Sequence, residues 1–201
     1  MAYQTLIFDL GNVLVSFSHE QMFSQLATLT GLSAREVQDF FIEERIGHQY
    51  ERGLLTTEEI YQMIQKIAPN SFPLPELLHA ASSIFTPREE MEALLQTLKK
   101  KGYQLILLSN TSEPHFDHIQ SHFTFLDHFD HIVLSYQVGA IKPEKAIYEH
   151  ALKKAQVKSS QCFYIDDHLE NIHAAERLGI RGHHFTSPAC LMHDLIQSGI
   201  L

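Results

Sequence analysis

Five residues at or just beyond the ends of apolar runs carry the chemistry legible in this chain. The run Thr5–Phe8 is followed by Asp9, then Leu10-Gly11-Asn12. The run Gln104–Ser109 ends in a hydroxyl and leads into Asn110 and Thr111. The run His131–Ser135 is followed by Gly139-Ala140-Ile141-Lys142-Pro143, and Cys162–Asp166 ends in the acid pair Asp166-Asp167. An acid, a hydroxyl, a lysine and an acid pair form a coherent set for phosphoryl transfer. A carboxylate attacks phosphorus. A hydroxyl and backbone N–H groups hold the oxygens, a lysine offsets charge, and a hard cation held by carboxylates bridges nucleophile and substrate.

Each piece alone has a plain structural reading. A strand-terminal Asp often caps the next helix, and Ser109-Asn110-Thr111 reads equally as a turn with an N-cap. Lys142 before Pro143 reads as a solvated loop lysine. Asp166-Asp167 reads as a cap that favours the dipole of the helix after it. The argument lies in their coincidence, because ligands of open α/β sheets bind outside the carboxyl ends of the strands.

The elements that must bring them together follow from pattern. Five short apolar runs read as buried strands: Thr5–Phe8, Gln104–Ser109, His131–Ser135, Cys162–Asp166 and Arg181–Phe185. From Gln104 onward they alternate with helical patterns at Glu113–His122, Glu144–Ala155, Glu170–Leu178 and Pro188–Gln197, which predicts an α/β fold with a parallel, Rossmann-like sheet. Between the first and second strands lie helical patterns at His19–Thr30, Ser33–Phe41, Thr57–Ile67 and Pro75–Phe85. A parallel crossover needs only one helix. The surplus predicts an inserted all-α helical cap over residues 16–85, on a catalytic core of residues 1–15 and 86–201. Capping boxes are expected at Ser33/Glu36, Thr56/Glu59 and Thr86/Glu89, the last with Pro87 opening the helix and Gly102 closing it.

The motifs FDLGNVL at 8–14, LLSNT at 107–111, GAIKPE at 139–144 and YIDDHLENI at 164–172 resemble those of the haloacid dehalogenase superfamily, in its phosphatase branch with a helical cap. The wording is similar to bacterial hexose-phosphate phosphatases, those acting on glucose 1-phosphate in particular, and the segment Tyr50-Glu51-Arg52-Gly53 resembles theirs. The resemblance implies a strand order 5-4-1-2-3 and a phosphatase acting on small phosphate esters, sugar phosphates among them. It implies Asp9 as nucleophile, through an aspartyl-phosphate, and Ser109 and Lys142 on the transferred phosphoryl group. It implies Mg²⁺ on Asp9, the Gly11 carbonyl and Asp167, with Asp166 acting through water. The resemblance also implies that Asn171, in the same loop, supports the acid pair. Leu10, Asn110, His48 and Arg52 are the expected substrate contacts, although Arg52 reads equally as the partner of a neighbouring acid.

One position departs from the family pattern. The usual Asp-x-Asp-Gly motif carries its general acid/base at the second Asp, where this chain has Gly11. General acid–base help is worth about 10²–10⁴-fold, roughly 3–5 kcal/mol of barrier. A water or a cap residue such as His48 is the expected substitute. The departure also keeps open a catalytically weak binding or regulatory protein on the same fold. Two other readings fit less well. A dehalogenase needs no metal and so no acid pair. A phospho-accepting receiver domain places its acid pair before the nucleophile.

Composition narrows the partners. With 201 residues, 44% hydrophobic and 19% charged, the chain can bury a core. A net charge of −9 disfavours nucleic acid. There is no apolar run of membrane length, and MAYQTLIFD is no signal peptide. A cytoplasmic monomer or weak dimer is the expectation. Two cysteines imply no disulfide framework, and Cys162 reads as a small buried residue. Among fourteen histidines, His115, His118 and His122 share a helix face flanking a stripe of Phe116, Ile119 and Phe123, which places them in water rather than around zinc.

Overall fold

The computed structural model describes residues 2–42 and 45–201. In chain order its elements begin with β1 (Thr5–Phe8), β2 (Val15–Ser16), α1 (His19–Thr30), α2 (Ala34–Ile42), α3 (Ile46–Glu51), α4 (Thr57–Ile67) and α5 (Leu74–Ser82). They continue with β3 (Thr86–Pro87), α6 (Glu89–Lys100), β4 (Gln104–Ser109), α7 (Glu113–His122), β5 (His131–Leu134) and α8 (Ser135–Val138). The last are α9 (Lys145–Ala155), β6 (Cys162–Asp166), α10 (Leu169–Glu176), β7 (Arg181–His184) and α11 (Pro188–Gln197).

All four residues of β1 are buried because it is the middle strand, paired in parallel with β4 on one side and β6 on the other. A strand covered on both faces reads as a continuous apolar run rather than an alternating one. The alternation survives in where the side chains go. Leu6, Phe8, Leu107 and Ile165 pack with α6, α7 and α11, while Ile7, Ile106, Leu108 and Tyr164 pack with α9 and α10. The sheet order is β5-β4-β1-β6-β7. Numbering only these five strands along the chain, this is the expected 5-4-1-2-3 seen from the other edge. The order reverses at β1, so the crevice beyond its carboxyl end is where a ligand belongs.

The helices α1–α5 close on a hydrophobic cluster of their own, built from Met22, Leu26, Val37, Ile46, Ile60, Ile64 and Leu77. The boxes at Ser33/Glu36 and Thr56/Glu59 form as expected. The chain enters and leaves this helical segment through a short antiparallel ribbon, in which Val15 stands beside Pro87 and Ser16 beside Thr86.

That ribbon corrects one expectation. Thr86 and Pro87 do not open a helix; they form β3, and α6 begins at Glu89 after Arg88. Proline lacks an N–H and is tolerated on a ribbon edge, and the Arg88 N–H is taken by the Leu14 carbonyl at 2.9 Å. The helix α3 was not expected, since six residues are too few for a periodic signal. The histidine flank needs correction too. Phe116 and Ile119 are buried as expected and His122 is exposed, but His115 faces a cavity of the helical segment. Both cysteines are free, Cys162 buried and Cys190 exposed. Among the described residues no helix is long and apolar enough to cross a membrane.

Candidate active site

The β1 ladder runs one residue past the strand: the Asp9 N–H donates to the Ile165 carbonyl of β6 at 2.9 Å. This fixes Asp9 at the mouth of the crevice, only 6% exposed. The chain then coils tightly. The Leu10 carbonyl accepts from Leu14 and Val15, Gly11 bridges to Val15, and Asn12 sits in the left-handed region with φ 55°. The Leu10 N–H donates to Asp9 Oδ1 at 2.7 Å. That N–H orients the acid rather than a substrate, and the Leu10 side chain is buried in the core.

Lys142 arrives from the loop after α8. Its Nζ lies 2.7 Å from Asp9 Oδ1 and 2.7 Å from Asp166 Oδ2. The loop is held by Asn110, which follows β4. Its Oδ1 accepts from the Lys142 N–H at 2.7 Å and its Nδ2 donates to the Lys142 carbonyl at 3.0 Å. The Asn110 side chain therefore positions the lysine. Ser109, 2% exposed, ends the strand adjacent to β1, and its Oγ donates to the Asn110 carbonyl at 3.3 Å. Ser135 locks the same turn: its Oγ accepts from the Thr111 N–H and donates to the Thr111 carbonyl.

Asp166 ends β6 fully buried and saturated by donors. Oδ1 accepts from the His168 N–H and from Asn171, and Oδ2 accepts from Lys142, Tyr164 and Asn171. Asp167 keeps more freedom: Oδ2 accepts from Asn12 Nδ2 at 2.9 Å, and His184 Nε2 lies 3.0 Å from its backbone carbonyl. Asn12 and Tyr164 were missed in the sequence. A left-handed Asn in an acid-bearing turn, and a Tyr two residues before a strand-terminal acid, were the available signals.

Burial pushes the Asp9 carboxyl up to about 7; Lys142 opposes the rise and the Asp166 charge adds to it. Burial would lower the Lys142 ammonium, but Asp166 and Asp9 more than reverse this and hold it above its ordinary range. Burial would likewise raise Asp166, yet Lys142 and its hydrogen bonds bring it below the usual carboxylate value. Three carboxylates and one lysine leave the cluster formally at −2.

The donor set fits a hard divalent cation. One carboxylate oxygen from each of Asp9, Asp166 and Asp167 lies within 4.8 Å of the others, the one such group among the described residues. All three are oxygen donors, as Mg²⁺ prefers, and a +2 ion would neutralise the cluster. Asp9 Oδ2 accepts no hydrogen bond among the described residues and is available.

Above this cluster, the segment Tyr50–Gly53 seats the helices on the sheet. Arg52 forms a bidentate pair with Glu144, two residues past Lys142. The Tyr50 hydroxyl meets Thr57 Oγ1 at 2.7 Å, and Thr57 Oγ1 donates to Glu113 at 3.1 Å. Gly53, at φ +72°, lies so close to the Tyr136 carbonyl that an added Cβ would stand 2.3 Å from it. The Arg52 guanidinium is thus engaged by protein. His48 and Glu51 line the adjoining cavity. Burial raises the Glu51 carboxyl, with His48 and Lys142 acting against the rise.

Gly11 is also explained by space. A Cβ there would lie 2.8 Å from the Phe17 ring. The ring fills the room that the family's second Asp would need.

The model of the haloacid dehalogenase-like hydrolases matches residues 3–179. The chain belongs to that family. Among curated members, it is 27% identical over 97% of its length to a sesquiterpene phosphatase of Aspergillus oryzae, covering 96% of that protein. It is 24% identical to a D-ribitol-5-phosphate phosphatase of Bacteroides thetaiotaomicron, covering 88% of each. A haloacid dehalogenase family enzyme from the same bacterium, solved with magnesium and inorganic phosphate, superposes with a TM-score of 0.83 at 26% identity, over 92% of this chain and 95% of that one.

Proposed function

We propose that this hydrolase is a magnesium-dependent phosphomonoesterase working through an aspartyl-phosphate on Asp9. The observation that supports this most is the convergence of Asp9, Lys142 and the acid pair at the strand ends where the fold binds ligands. The named relatives are phosphatases, and the magnesium and phosphate bound by the solved neighbour suit the same reading.

Asp9 and Asp167 would hold Mg²⁺ with the Gly11 carbonyl, and Asp166, saturated by protein donors, would act through water. When bound, the ion supplies positive charge to the phosphoryl oxygens. Lys142 supplies the rest, and Ser109 contributes its hydroxyl. Asp9 Oδ2 attacks phosphorus in line with the ester oxygen, the P–O ester bond breaks, and the alcohol oxygen takes a proton. Water then attacks the aspartyl-phosphate, releasing phosphate and restoring the carboxylate. The helical segment 16–85 serves as the cap that closes over the reaction.

Gly11 leaves the proton without its usual donor. We assign that role to Glu51, which lines the cavity within the field of Lys142 and whose carboxyl is raised by burial. His48, the other titratable group nearby, is the alternative. The test is p-nitrophenyl phosphate turnover with Mg²⁺, Asp9→Asn serving as blank. Dependence on leaving-group pKa is compared for Glu51→Gln and His48→Ala. A steeper dependence in Glu51→Gln alone supports the assignment; an unchanged slope removes it. Equal turnover by Asp9→Asn and the unaltered protein would end the larger reading.

The alcohol is the open half of the substrate. The resemblance to hexose-phosphate phosphatases and the ribitol-phosphate relative favour a polyol, whereas the sesquiterpene phosphatase has an apolar leaving group. The chemistry of the cap cavity is what can choose between them.

A further inference from the structure

A cavity of about 860 Å³ lies within the helical segment, near the upper end of the roughly 300–1,000 Å³ typical of small-molecule sites. The apolar part of its wall includes Met22, Leu26, Phe41, Ile60, Ile64 and Leu77, which belong to that segment's own hydrophobic cluster. The helices therefore pack on one another and also leave a space between them. Protein interiors pack like organic crystals, with few voids larger than a water molecule. A mainly apolar cleft of this size, open to solvent on one side, leaves its lining against water unless something apolar fills it.

The cavity adjoins the catalytic crevice without taking in Asp9, Ser109 or Lys142 themselves. Ile141, beside Lys142, and Ser112, in the turn after Ser109, belong to its wall, together with Glu51 from the end of α3. A phosphate held at Asp9 and Lys142 would therefore stand beside this mainly apolar chamber.

Polar side chains form part of the wall, His19, Gln38, Arg45, His48 and Glu51 among them, but several others are already engaged. Arg52 is paired with Glu144, and Thr57 is bonded to Tyr50 and Glu113. His115, closely surrounded by protein, is shifted by burial down to about 4 and so stays neutral, with a bond to the Ala81 carbonyl. A polyol would bring several hydroxyls against a wall that is mainly apolar, where some would lose water without a full set of partners.

We propose that this chamber receives the apolar tail of the substrate, which is the monophosphate of a long aliphatic or prenyl-type alcohol rather than of a sugar. This rests on the phosphomonoesterase reading above. At roughly 30 Å³ per carbon, about the share of a water in its liquid, a tail of ten to fifteen carbons needs roughly 300–450 Å³ and fits the chamber.

The test is a series of butyl, octyl and dodecyl monophosphates below their micelle concentrations, beside glucose 1-phosphate, ribitol 5-phosphate and p-nitrophenyl phosphate, all with Mg²⁺. kcat/KM is expected to rise about three- to four-fold per buried methylene until the tail fills the chamber. Ala81→Phe, which puts a ring into the wall, should lower the dodecyl-to-butyl ratio at least tenfold. Binding is read separately by thermal unfolding of the unaltered protein: dodecylphosphonate, which has no ester to hydrolyse, should raise Tm and butylphosphonate should not. A flat chain-length series with Asp9-dependent p-nitrophenyl phosphate turnover overturns the tail proposal alone. No turnover of any ester overturns the phosphatase reading, and the phosphonate result then decides the tail: an absent Tm difference overturns it, a clear one supports it.

Discussion

Replacing Lys142 with methionine tests the electrostatic core of the site. The change keeps most of the side-chain length and removes the charge. The amine lies 2.7 Å from a carboxylate oxygen of each of Asp9 and Asp166, and the lysine is 5% exposed. Removing one partner of a buried ion pair costs about 3–5 kcal/mol, because the partner left behind is buried and unpaired. For a chain of this size each kcal/mol shifts Tm by about 2–4 °C, so Lys142→Met should unfold roughly 6–20 °C lower in chelator. The same change takes the cluster from a formal −2 to −3. Mg²⁺ should then stabilise the variant more than the unaltered protein, since an ion that binds only the folded state raises its stability by mass action. Thermal melts of both proteins in chelator and across a magnesium titration provide the assay, with turnover expected to fall at least a hundredfold from loss of charge on the phosphoryl oxygens. An unshifted Tm in chelator, or a smaller magnesium gain in the variant, would refute the reasoning.

Two other outcomes follow from groups on either side of that cluster. His115 is lowered in the fold from its ordinary value to about 4, by burial first. The unfolded chain therefore binds the extra proton at higher pH than the folded one, so stability is full above about pH 6.5 and drains as pH falls towards 4, by up to roughly 3 kcal/mol. Urea midpoints of His115→Phe should lose less between pH 7.5 and 5 than those of the unaltered protein, and parallel losses would contradict this. Restoring the family's acid by Gly11→Asp should destabilise rather than activate, by about 1–3 kcal/mol, because the new Cβ meets the Phe17 ring at 2.8 Å. Adding Phe17→Ala should recover part of that cost, and strictly additive urea midpoints would show that the ring is not the obstacle.

The core was legible because its signals are strong and local. The strands Gln104–Ser109 and Cys162–Asp166 are continuous apolar runs with chemistry at their ends, and both stand in the structure with the bounds read from the sequence. The acid, the hydroxyl, the lysine and the acid pair were visible as types in order, and Asp9, Lys142 and Asp166 do meet. What pattern could not show is how groups are spent. Asn110 and the Leu10 N–H looked available to a substrate, yet they hold Lys142 and Asp9. Arg52 read equally as a substrate contact and as the partner of a neighbouring acid, and it is a clasp on Glu144, 92 residues away in sequence. The helix Ile46–Glu51 was invisible because one and a half turns carry no period. The hollow in the helical core was hidden for a related reason: apolar spacing tells which faces turn inward, but not whether they touch.

The ribbon of Val15–Ser16 with Thr86–Pro87 has a consequence for how this molecule can change over evolutionary time. Because departure and return stand side by side, everything between them is joined to the sheet along the chain only there, and otherwise through contacts such as that of Arg52 with Glu144. Helices there can be lengthened, shortened or exchanged while the spacing of β1 from β4 stays as it is. Selection can therefore rework the helical segment and leave untouched the strand ends that carry Asp9, Ser109 and the acid pair.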